Sequence, residues 1–147
     1  MYLISSCLVG INCRYNGGSS CYPKLEELLK KGEAIAVCPE VLGNLPIPRD
    51  PCEIQANKGQ LSVCTKNGRD YTNAFRQGAQ KTLDICQTTG VTQAILQSRS
   101  PSCGSGQIYD GSFTGKLIDG NGLTAELLQY NGVSVYTETE WLSQFED

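Results

Sequence analysis

Two kinds of segment alternate along the chain. Short apolar runs at residues 2–6, 33–37, 91–96 and 133–136 predict four buried strands. Between them the spacing turns helical. Leu25, Leu28 and Leu29 predict a helix over 23–31, with Pro23 at its start and Gly32 past its end. Ala74, Phe75, Gly78, Ala79, Thr82, Leu83 and Cys86 form one apolar stripe, which predicts a helix over 70–88 that Gly90 ends. Residues 121–128 read as a loop opening into a helix that closes at Gly132, and 140–145 as a short terminal helix. Residues 54–64 predict a hairpin turning at Asn57, Lys58 and Gly59, and 108–115 a loop or small hairpin. Strands alternating with helices predict an α/β domain, with a mainly parallel sheet of about four strands and flanking helices. Such a sheet binds ligands beyond the carboxyl ends of its strands, near the point where strand order reverses.

Composition narrows the function classes. A chain of 147 residues, 39% hydrophobic and 18% charged, suits one globular domain over residues 1–147. A net charge of −3 gives no bulk attraction to nucleic acid. No segment approaches the length of a membrane helix, and residues 1–10 lack the basic and apolar regions of a signal peptide. The cytoplasm is the expected location. The sequence leaves oligomeric state open.

Eight cysteines in a reducing compartment then need a reason other than disulfides. Histidine is absent, which excludes Cys-His nucleophiles, Ser-His-acid triads and mixed Cys/His zinc sites. Core packing, an all-thiolate metal or cluster site, and thiol redox chemistry remain. Cys7 and Cys38 directly follow the first two predicted strands, and Cys103 sits on the loop after the third. In a parallel sheet these loops open on one edge, so the three thiols are expected to converge. Cys86 lies on the apolar stripe of the long helix, and Cys52 and Cys64 read as structural or incidental. Cys13 and Cys21, on the first loop, are open as spare ligands, a disulfide or neither. No C-x-x-C spacing marks a zinc knuckle or a thioredoxin-type site. Three thiolates suit soft metals and iron–sulfur clusters, and a cluster on three cysteines leaves one iron open as a Lewis acid.

Other groups flank these cysteines. Glu40 is expected on the same loop as Cys38, as a general acid or base or as a solvated carboxylate. Ser100 and Ser102 offer hydroxyls beside Cys103, or shape its loop around Pro101 and Gly104. Arg14 and Arg49 are candidates to orient a substrate, against the alternative of ordinary solvated cations. The Gly120 to Thr124 stretch reads as a simple helix start, with an anion-holding loop as the alternative.

Taken in order, these motifs resemble those of the thiouracil desulfurase (TudS-like) family: Cys7-Leu8-Val9-Gly10 with Arg14-Tyr15-Asn16-Gly17, then Cys38-Pro39-Glu40 with Gly43-x-Leu45-Pro46-x-Pro48-Arg49, then Ser100-Pro101-Ser102-Cys103-Gly104. Tyr109-Asp110-Gly111-x-Phe113-x-Gly115 and Gly120-x-Gly122-Leu123-Thr124-Ala125 continue the match over nearly the whole chain. The resemblance implies a small Rossmann-like domain carrying a [4Fe–4S] cluster on Cys7, Cys38 and Cys103. It further implies that the open iron takes sulfur from a thiolated base such as thiouracil, without net redox change. A carboxylate, matching Glu40, and a serine, Ser100 or Ser102, are implied to assist. The chain ends without the extra C-terminal domain of longer relatives, so the expected substrate is a small molecule rather than tRNA. The alternatives are a non-catalytic regulatory domain bearing a metal or cluster, and a plain interaction domain whose cysteines only pack.

Overall fold

The computed structural model describes residues 1–12, 15–18, 20–57 and 60–145. Four strands, β1 (Tyr2–Ser5), β2 (Ala34–Val37), β5 (Gln93–Leu96) and β8 (Ser134–Thr137), form one sheet in the order β2-β1-β5-β8. Every pairing is parallel, with Leu3 opposite Ile35 on one side and Ala94 on the other. Both faces of the sheet are covered, which is why its strands are continuous apolar runs and not alternating ones. Successive side chains point to opposite faces. Leu3, Ala94 and Leu96 therefore join one core cluster, with Leu83 and Cys86 of α3 (Thr72–Thr89) and Ala125 and Leu128 of α4 (Leu123–Tyr130). Ile4 and Ile95 join the other, with Leu25 of α1 (Pro23–Lys30) and Trp141 of α5 (Glu138–Leu142). Each such buried Leu or Ile contributes roughly 1.5–3 kcal/mol relative to exposure.

Two hairpins form separate two-stranded sheets. One joins β3 (Cys52–Asn57) to β4 (Gln60–Thr65), and the other joins β6 (Gln107–Tyr109) to β7 (Leu117–Asp119). Of the expected turn at 57–59, Lys58 and Gly59 lie outside the described residues. Ile54, Val63 and Ile108 from the hairpins close a third cluster with Leu45 and Phe75. The terminal helix starts two residues earlier than the pattern predicts, because Thr137 caps it. The Thr137 hydroxyl accepts from the Glu140 amide at 3.0 Å, and the Glu140 carboxylate accepts from the Thr137 amide at 2.9 Å. No helix among the described residues is long and apolar enough to cross a membrane.

One element departs from expectation at the site itself. Residues after Cys38 form a short helix, α2 (Pro39–Leu42), and not a loop. Pro39 supplies the fixed φ of a first helical position, and Cys38, in an extended conformation, precedes it. This helix lies directly on α3, with backbone against backbone. A Cβ on Gly78 would stand 1.9 Å from the Pro39 carbonyl oxygen, and one on Gly43 would stand 2.1 Å from that of Ala74. Gly78, which sits on the apolar stripe, is thus the slot that receives α2. Gly78→Ala is expected to push α2 away and cost about 1–3 kcal/mol or more, read from the urea unfolding midpoint with an unchanged m-value.

Candidate active site

In the order β2-β1-β5-β8 the chain leaves β1 to one side and returns to its other side, so strand order reverses between β1 and β5. Cys7 lies in a single 3₁₀ turn (Ser6–Leu8) immediately after β1. Cys38 follows β2, and Cys103 follows β5 on the loop before β6. Cys7 and Cys103 are buried and Cys38 is half-buried.

Hydrogen bonds tie these positions together across the reversal point. The Ser5 hydroxyl, 2% exposed, accepts from the Gln97 amide at 3.0 Å and donates to the Cys103 sulfur at 3.4 Å. The Cys7 thiol donates to the Gln97 side-chain oxygen at 2.9 Å. Burial pushes the Cys103 thiol up to about 12; the neighbouring Cys38 and Glu40 push the same way, against the Ser5 hydrogen bond. Cys38 and Glu40 therefore belong to the electrostatic surroundings of Cys103. Among the described residues, no three histidine, cysteine or carboxylate side chains close on one point as a single-ion site does.

Glu40 stands in the first turn of α2 with its carboxylate on the Arg49 guanidinium, the two side chains being 19% and 6% exposed. Arg49 also donates to the Pro46 carbonyl at 3.0 Å. It is thus no solvated cation waiting for a substrate, and its guanidinium holds the carboxylate. Arg14 and Cys13 lie outside the described residues. Cys21 is exposed and donates to Glu26 at 2.9 Å, and Cys86 is buried in the α3 stripe.

The two serines beside Cys103 differ. Ser102 is 1% exposed, and its hydroxyl is paired with that of Thr124 at 2.8 Å. Ser100 lines an open cleft, and its hydroxyl oxygen accepts from the amides of Ser102 and Cys103, each at 3.1 Å. The Gly120 to Thr124 stretch is a helix start whose amides are already taken. Leu123 donates to the Pro101 carbonyl at 2.9 Å, and Thr124 and Ala125 donate to that of Ser102 at 2.9 and 3.1 Å. The N-terminus of α4 thereby holds the backbone that carries Cys103.

A cleft of about 530 Å³ is lined by Leu8, Gln97, Glu40 and Ser100, which are neighbours of Cys7, Cys38 and Cys103 in sequence or through hydrogen bonds; those three cysteines lie behind its lining. Several of its groups are ones the sequence reading passed over. Cys52, taken as structural or incidental, lines it, with its thiol pushed up to about 12 mainly by burial. Glu138 also lines it; this carboxylate is 7% exposed and accepts from the Ser98 amide at 2.9 Å and hydroxyl at 2.7 Å. The acidic residue at a helix start is a signal for Glu138, but it reads first as a partner of the helix dipole. Gln97 carries no sequence signal beyond its place after an apolar run.

Fold and site together define an α/β protein with three cysteines after adjacent strands and a cleft beside them, near the switch point of a parallel sheet. The model of the 2-thiouracil desulfurase family matches residues 2–140, and the chain belongs to that family. The uncharacterized protein YbbK of Bacillus subtilis (strain 168) is 42% identical over 146 residues, which cover 95% of this chain and 97% of that protein. The solved structure of a [4Fe–4S]-dependent thiouracil desulfidase, TudS, superposes with a TM-score of 0.86 at 39% identity, covering 98% of this chain and 97% of that one.

Ser5 is the group through which Cys103 and Gln97 share one frame. Ser5→Ala removes the hydroxyl that accepts from the half-buried Gln97 amide and donates to the Cys103 sulfur. It is expected to destabilise the protein by about 1–3 kcal/mol in chemical denaturation, more than an exposed serine such as Ser143 would.

Proposed function

We propose that the protein removes sulfur hydrolytically from thiolated pyrimidines such as thiouracil, with a [4Fe–4S] cluster held by Cys7, Cys38 and Cys103. One observation carries the reading: in a chain of the 2-thiouracil desulfurase family, three cysteines follow three adjacent parallel strands, beside a cleft whose lining includes their neighbours Leu8, Glu40 and Ser100. The donor set fits the group, being sulfur from cysteine with no imidazole in the chain. The dependence of TudS on a [4Fe–4S] cluster supports the same cofactor here. When bound through three thiolates, such a cluster supplies an iron free of protein ligands, a Lewis acid suited to a soft thiocarbonyl sulfur.

To hold it, Cys7, Cys38 and Cys103 would each give up a proton, a loss that burial opposes at Cys103. Glu40, whose side chain is held in place by Arg49, takes a proton from the water that adds to the ring carbon bearing sulfur. The Ser100 oxygen already accepts two amide hydrogens, so its own hydrogen is left to donate to the substrate. Ser102, buried against Thr124, instead shapes the loop. The overall reaction is thiouracil plus water to uracil plus hydrogen sulfide, with no electron gained or lost. On this reading residues 1–147 work as one catalytic domain in the cytoplasm, on a free base.

Anaerobic reconstitution tests the proposal. The protein is expected to bind about four irons per chain and to convert thiouracil to uracil with release of sulfide. Cys103→Ala should lose the iron. Glu40→Gln and Ser100→Ala should keep it and lose about 10²–10⁴-fold in kcat, measured by uracil formation, while Ser102→Ala retains turnover. A fully loaded protein that releases sulfide from no thiolated base overturns the desulfurase reading, and full activity in Glu40→Gln overturns the role of its carboxylate.

A further inference from the structure

The hairpin side of the cleft carries aromatic residues. Tyr109, at the end of β6, and Phe113, in the turn between β6 and β7, both line it, and neither belongs to any of the three core clusters. Phe113 adopts a left-handed backbone conformation with φ +59°. That region suits glycine, asparagine or aspartate, and a bulky aromatic residue there is an outlier. Glycine would meet the backbone requirement at lower cost, as Gly111 and Gly115 do in the same turn at φ +92° and +82°. What the position gains from phenylalanine is the ring, and the residue lines the cleft.

The conformation is held from outside the turn. One oxygen of Glu53, on β3, accepts from the Gly111 amide at 3.0 Å and from the Phe113 amide at 3.2 Å. Gln55, on the same strand, donates from its side chain to the Gly111 carbonyl at 3.0 Å. The first hairpin thus clamps the turn of the second, and the clamp closes on the residue with the unfavourable φ. Such strain, over-determined by its surroundings and located at a cleft wall, marks a functional position.

We infer that Phe113, with Tyr109 beside it, is the stacking wall for the flat heteroaromatic ring of the substrate, and that Glu53 is the positioning residue that presents Phe113. The inference rests on the desulfurase reading and deepens it. Affinity for the planar ring comes from stacking on this wall, separately from the thiocarbonyl chemistry that singles out sulfur. A π-face meets an aromatic side chain whatever substituents the ring carries, so several thiolated pyrimidines should be accepted.

The test uses cluster-loaded protein, with steady-state kinetics on thiouracil and calorimetric titration with uracil. Phe113→Ala is expected to raise KM for thiouracil and Kd for uracil by about tenfold or more, with kcat within about twofold of the parent. Phe113→Tyr should keep both constants near the parent values. Glu53→Ala should reproduce the Phe113→Ala pattern, and Glu53→Gln, which keeps an acceptor oxygen for both amides, should rescue it. Circular dichroism and iron content establish that each variant is folded and loaded. Unchanged KM and Kd in folded Phe113→Ala overturn the inference, as does a fall in kcat alone. If the parent protein turns over no thiouracil, the proposed function fails and the uracil titration decides separately. Binding that depends on Phe113 supports the wall, and no binding overturns it.

Discussion

The carboxyl edge of the sheet hangs on one buried hydroxyl. Ser5 ends β1, accepts from the first amide beyond β5 and donates to the sulfur of Cys103. Gln97, whose amide is thereby fixed, receives the Cys7 thiol on its side chain. Two cysteines 96 positions apart in sequence are thus set in one frame by a path of three hydrogen bonds. At 2% exposure the hydroxyl has no water to fall back on, so leaving these bonds unmade is costly and the arrangement is stiff.

The other components rest on supports of different kinds. Cys38 and Glu40 are held by α2, which lies on α3 because Gly78 and Gly43 have no side chains to keep the backbones apart. Arg49 then fixes the direction of the Glu40 carboxylate. The backbone of Pro101 and Ser102 is held by amides at the start of α4. Three rigid elements therefore position three thiols and two polar groups before any ligand arrives. Such preorganisation is what lets donors and acceptors act without a reorganisation cost during reaction.

What the sequence made legible follows from the range of the forces involved. Strand and helix identity is encoded locally, by apolar runs covered on both faces and by the 3.6-residue stripe of α3, so the four strands and the parallel sheet could be read. The placement of Cys7, Cys38 and Cys103 followed from topology, since parallel strands share one carboxyl edge. The helical state of residues 39–42 could not, because so short a helix exists through contact with Gly78, 39 positions after Pro39. The split between Ser100 and Ser102 depended on Thr124, and the role of Cys52 on where a hairpin lies. Arg49 looked like a free loop cation because its partner, nine residues earlier, sits on that unrecognised helix.

Charge at the cleft bears on what enters it. Of the described residues that line it, Glu40, Asp50, Glu53 and Glu138 are carboxylates and Arg99 is the one cation. Three of these carboxylates already have structural partners: Arg49 for Glu40, the turn amides for Glu53 and Ser98 for Glu138. Even with Arg49 set against Glu40, the carboxylates outnumber the cations there, in a chain whose overall charge is −3. An anionic ligand such as a nucleotide phosphate meets repulsion there and finds no cluster of basic side chains among the described residues to offset it. A neutral heterocycle meets no such penalty. Hydrogen-bonding groups on its rim suit Ser100, and its faces suit Tyr109 and Phe113. The charge of the cleft and the aromatic residues on its wall thus both suit the neutral thiolated base of the proposed function.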